Sequence, residues 1–95
     1  MVKIVLKEPF KKPVVKEVED TLETWQGLVG GYIEVISFKD CLMIINEEGK
    51  LQQLLPNFRY GRDVIVGNAV FVNGIGADFG GLSDEQIQDL MQTFN

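Results

Sequence analysis

The run Leu42-Met43-Ile44-Ile45 constrains the fold of this chain more than any other stretch. It is of strand length and leaves neither face polar, as in a strand covered on both sides. It stops at the charged turn Asn46-Glu47-Glu48-Gly49-Lys50, and a second strand-length run, Tyr32–Phe38, precedes it across Lys39-Asp40. Two apolar runs about a short polar turn predict a β-hairpin. The rest of the chain then has to supply layers for it.

Those layers are legible in outline. Val2–Leu6 and Val14–Val18 read as an antiparallel pair joined by a turn containing Pro9 and Pro13, which cannot donate to a ladder. Leu22, Trp25, Leu28 and Val29 recur at helical spacing and predict a helix over 21–29. Asp20 or Thr21 can cap it, Asp20 with Glu23 having the spacing of a capping box, and Gly30 stops it. Trp25 reads as a core anchor. Leu51–Leu55 reads as one helical turn and 56–63 as a loop rich in hydrogen-bonding groups. Val64–Val66 and Ala69–Val72 are strand-like, interrupted at Gly67-Asn68. The glycine-rich stretch 73–81 reads as a connector, its glycines spaced one residue too far apart for a dinucleotide loop. Ser83-Asp84-Glu85-Gln86 is a capping box, with Leu82 and Ile87 placed to staple it. The helix it opens, 84–94, carries Ile87, Leu90, Met91 and Phe94 on one face. The fold class expected is α+β: a mainly antiparallel sheet of about five strands with two helices.

Composition narrows the function classes. Ninety-five residues suit a single domain, residues 1–95. Nine basic against fourteen acidic residues give a net charge of −5, which disfavours binding to nucleic acid. The first apolar run is broken by Lys3 and Lys7 and no run reaches membrane-spanning length, so neither a leader nor a membrane is expected. With one cysteine, Cys41, a reducing, cytoplasmic setting fits best. There is no histidine, the usual general base and metal ligand. Cys41 lies in an apolar strand, where a thiol is usually inert, and Glu47-Glu48 are too close in the chain to converge on one substrate atom. No catalytic residue, metal or cofactor is expected.

One polar constellation stands out. Asn46, Glu47, Lys50, Asn57, Arg59 and Tyr60 fall at the hairpin end and just after it. They combine amides, a carboxylate, two cations and an aromatic face. Such a set suits a small polar or phosphorylated ligand or a charged protein surface. Equally, it suits a segment pinned by its own side chains.

At these residues a resemblance emerges. Gly30-Gly31-Tyr32-Ile33-Glu34, Asn46-Glu47-Glu48-Gly49-Lys50, Asn57 and Arg59, Asp63–Gly67 and Leu82–Ile87 occur in that order. This resembles a family of small domains of unknown function from phages and mobile elements of Gram-positive bacteria, sometimes found beside antirestriction proteins. After Gly67 the run Asn68-Ala69-Val70-Phe71 departs from the Thr-Phe-Phe-like run of such domains. The resemblance implies a phage or mobile-element setting and carries no activity. Two readings stay open. One is a non-enzymatic binding module that attaches to a host protein or to itself, countering host defence. The alternative is an oligomeric ligand-binding domain, such as a sponge for a nucleotide signal, using residues 46–60.

Overall fold

The structure, a computed structural model, describes residues 1–76 and 78–95. Its element order is β1 (Val2–Lys7), β2 (Val14–Val18), α1 (Leu22–Val29), β3 (Ile33–Phe38), β4 (Cys41–Asn46), β5 (Pro56–Tyr60), β6 (Asp63–Val66), β7 (Ala69–Ile75), β8 (Asp78–Gly80) and α2 (Asp84–Thr93). The main sheet runs β2-β1-β7-β4-β3, with β8 added alongside β7, and every pairing is antiparallel. The fold is therefore α+β.

The pleat explains the consecutive apolar residues of β4. Ile44 faces one core with Ile4, Leu6, Val70, Val72 and the α1 residues Trp25 and Val29. Cys41, Met43 and Ile45 face a second core with Val5, Ala69, Phe71, Leu82 and Leu90 of α2. Alternate residues of one strand thus enter different cores. Met43 and Ile44 are fully inside, each contributing about 1.5–3 kcal/mol by burial.

Five local expectations change. Residues 56–63 are not a loop: β5 and β6 form a two-stranded sheet joined through Gly61-Arg62 and packed over the second core. Phe58 and Tyr60 alternate inward there, and this pattern outweighs the proline and glycine that bound it. Residues 73–81 are not a connector either, since Asn73–Ile75 extends β7 and pairs with β8; Ala77 lies outside the described residues. Leu51–Leu55 is not a helical turn: residues 51–53 form turns, with Gln53 in the left-handed region (φ 57°), and Leu54 and Leu55 lead irregularly into β5. The Asp20–Glu23 capping box does not form. Thr21 caps α1 by accepting from the Thr24 N–H, and Asp20 instead accepts from Trp25 Nε1 at 3.1 Å. Finally, Leu22 is exposed, so the α1 stripe rests on Trp25, Leu28 and Val29.

Gly67 marks where the chain passes from β6 to β7. Its φ is +75°, and an added Cβ would lie 2.7 Å from a Leu54 methyl, so both conformation and space demand glycine. The α2 box forms as expected: Gln86 N–H donates to Ser83 Oγ at 3.2 Å, and Ser83 N–H donates to Gln86 Oε1 at 2.8 Å. Ser83→Ala should cost about 0.5–2 kcal/mol, measured by urea unfolding; an unchanged midpoint would show that the cap contributes nothing.

Candidate functional site

Three of the six polar residues are tied into the fold. Asn46, at the end of β4, is 4% exposed. Its Nδ2 donates to the carbonyl of Val29 and to Gln52 Oε1, both at 3.2 Å, while Oδ1 accepts the Glu48 N–H at 2.8 Å. It fastens the end of α1 to the turn after β4. Asn57, on β5, donates through Nδ2 to the carbonyls of Lys7 and Gly67, both at 2.8 Å, and accepts from Lys7 Nζ at 3.0 Å. Tyr60 donates its hydroxyl to the Ser37 carbonyl, with its ring 5.2 Å from that of Phe38. Among the described residues, no buried side-chain polar atom lacks a partner.

The other three, Glu47, Lys50 and Arg59, are exposed. Lys50 pairs with Asp63 at 2.5 Å. That bond, and the Val64 N–H that Asp63 also accepts, hold the Asp63 carboxyl below its ordinary value. Arg59 lies between the inward residues Phe58 and Tyr60 and so points away from the core. The structure therefore separates the constellation into an internal set and a surface set. Arg59→Ala should leave the thermal midpoint unchanged, within about 0.5 kcal/mol of stability, whereas loss of the Tyr60 hydroxyl should lower it. An Arg59→Ala variant that melts early would give this side chain a pinning role.

Sequence reasoning missed two features. The first is Lys7, 7% exposed, whose ammonium donates to the Glu8 carbonyl at 2.7 Å and to Asn57. Burial lowers its pKa. The signal was present: Lys7 keeps the inward parity of Val5 on β1. The second is a cavity of about 180 Å³ between the β3–β4 hairpin and β6, lined by Glu34, Ile36, Asn46, Glu47, Lys50 and Asp63 among others. Glu34 is itself exposed and stands at its edge. The carboxylates outnumber the single ammonium, and Asp63 already holds it.

Nucleophile chemistry is weakly supplied. Cys41 is buried, and burial first, then the charge of Asp40, pushes its thiol up to about 11. A thiol raised from 9.0 to about 11 has roughly a hundredfold less thiolate at pH 8. Iodoacetamide should therefore modify native Cys41 at least a hundredfold more slowly than the urea-unfolded chain. Equal rates would contradict this placement. Among the described residues no three of His, Cys, Asp and Glu could hold a metal ion together, and no helix is long and apolar enough to cross a membrane.

Fold and site define a small α+β domain with two covered sheet faces and a polar, concave hairpin end. The chain belongs to the family described as Domain of unknown function (DUF3846), which it matches over residues 2–95. No curated protein and no solved structure gives a significant match.

Proposed function

We propose that this chain is a non-enzymatic, cytoplasmic binding module of phage or mobile-element origin that attaches to a host protein or to itself and counters host defence. The setting and the anti-defence role rest on the sequence resemblance; the binding mode rests on the outer edge of β3. In the β3–β4 ladder the Tyr32 carbonyl accepts from the Glu47 N–H, while the Ser37 carbonyl accepts from Tyr60 instead of β4. Backbone groups alternate in direction along an antiparallel pair. Glu34, Ile36 and Phe38 therefore bond to β4, and Ile33, Val35 and Ser37 turn their N–H and C=O groups outward. Val35 is 42% exposed and Tyr32 65%. The Ser37 carbonyl is taken by Tyr60, but the outward groups of Ile33 and Val35 form no further backbone bond among the described residues. Such a stretch of edge with apolar side chains is a template for another strand.

The ligand-sponge reading has less support. Asn46, Asn57 and Tyr60 spend their polar groups within the chain, and an anion entering the cavity would meet Glu34, Glu47 and Asp63. Native mass spectrometry of the chain purified from its natural host separates the two. A stoichiometric protein partner or a homo-oligomer is expected, and a retained small mass would overturn the reading.

A further inference from the structure

We infer that the β3 edge takes up an extended basic segment of a partner protein, laid beside β3 as an added strand with lysine or arginine side chains entering the cavity at Glu34 and Glu47. This rests on the binding-module reading and names the partner's chemistry. Edge and cavity are contiguous, because Glu34 and Ile36 of β3 help to line the cavity. On the opposite face of the same strand, Ile33 packs toward α1 and Val35 stands half open. A strand alongside β3 would thus meet carboxylates over an apolar floor on one face and valine on the other. The matching pattern in a partner is basic and apolar residues in alternation.

The two ends of the sheet differ in a way that fits this use. Edge strand β2 follows Pro13 and carries Lys16 and Glu17, features that discourage strand addition. β3 has no proline and no lysine, and its only charge is Glu34. Charge also selects among occupants. A second copy paired antiparallel through β3 about Val35 would set the two Glu34 side chains diagonally on one face and bring two acidic cavities together. Each copy carries a net charge of −5. Lys50 is already held by Asp63, whereas Glu34 and Glu47 form no ion pair among the described residues. A basic strand supplies what they lack.

The probe is a fluorescein-labelled nine-residue peptide alternating lysine and valine, titrated with the full chain and followed by fluorescence anisotropy, beside a glutamate–valine peptide of equal length. The lysine–valine peptide should bind at least tenfold more tightly. Affinity should fall tenfold or more in the double variant Glu34→Gln, Glu47→Gln, and again as sodium chloride is raised. Val35→Pro removes an outward N–H while sparing the β4 ladder, and should abolish binding. N-methylation of alternate peptide amides should do the same without altering the protein. Equal binding of both peptides, or undiminished binding to a folded Val35→Pro chain, would overturn the inference. A dimer that Val35→Pro dissolves, without peptide binding, would assign the edge to a second copy and leave the binding-module reading intact. That reading fails separately, if native mass spectrometry finds a retained small mass.

Discussion

Phe71→Ala should lower stability by about 3–5 kcal/mol, a large part of the roughly 5–15 kcal/mol that holds a domain folded. Phe71 has no exposed surface and sits in the middle of β7. Its ring centroid lies 4.9 Å from that of Phe38, 5.4 Å from Phe94 and 6.3 Å from Phe58. These rings come from the main sheet, from the end of α2 and from the small β5–β6 sheet. Removing Phe71 opens a cavity where three layers meet, and backbone hydrogen bonding prevents β7 from moving to fill it. Phe71→Leu keeps much of the volume and should cost appreciably less. Urea unfolding of both variants checks this; similar losses for the two would mean that the ring cluster adds nothing beyond general burial.

Asn57→Ala should rank next, at about 3–4 kcal/mol, from three hydrogen bonds at about 1 kcal/mol or more each, with the charged one at the upper end. The site explains the residue. Two backbone carbonyls, of Lys7 and Gly67, can only accept, and the Lys7 ammonium can only donate. A primary amide meets all three, with nitrogen toward the carbonyls and oxygen toward the ammonium. Asn57→Asp, nearly the same shape, should also destabilise, because a carboxylate offers the two carbonyls no proton. An alanine variant with an unchanged thermal midpoint would show that water replaces these bonds freely. That would return Asn57 to the pool of residues available for a ligand.

The layered core was readable because its signals are local. Consecutive apolar residues from Leu42 to Ile45 mark a strand between two layers, and Ser83 with Gln86 marks a helix start within four residues. β5 was hidden because Pro56, Asn57 and Gly61 are turn-forming types, although Phe58 and Tyr60 keep strand parity. β8 was hidden by its surrounding glycines. The polar cluster was legible as a group but not in its uses. Asn57 acts on Lys7 fifty positions away, and Tyr60 acts on Ser37 across two sheets. Spacing within 46–60 carries no trace of such partners. The open edge of β3 was equally invisible, since it depends on which strand lies at the end of the sheet.

Amide hydrogen exchange at β3, resolved by NMR, tests the edge assignment most directly, in the free chain and in the chain saturated with the lysine–valine peptide. In the free chain, the Glu34 and Ile36 amides, bonded to β4, should exchange slowly, while those of Ile33 and Val35 exchange fast. With the peptide bound, Ile33 and Val35 should become protected, with little change at Val15 and Glu17 on the opposite edge. Slow exchange at Val35 in the free monomer, or no gain of protection there on peptide addition, would contradict the account.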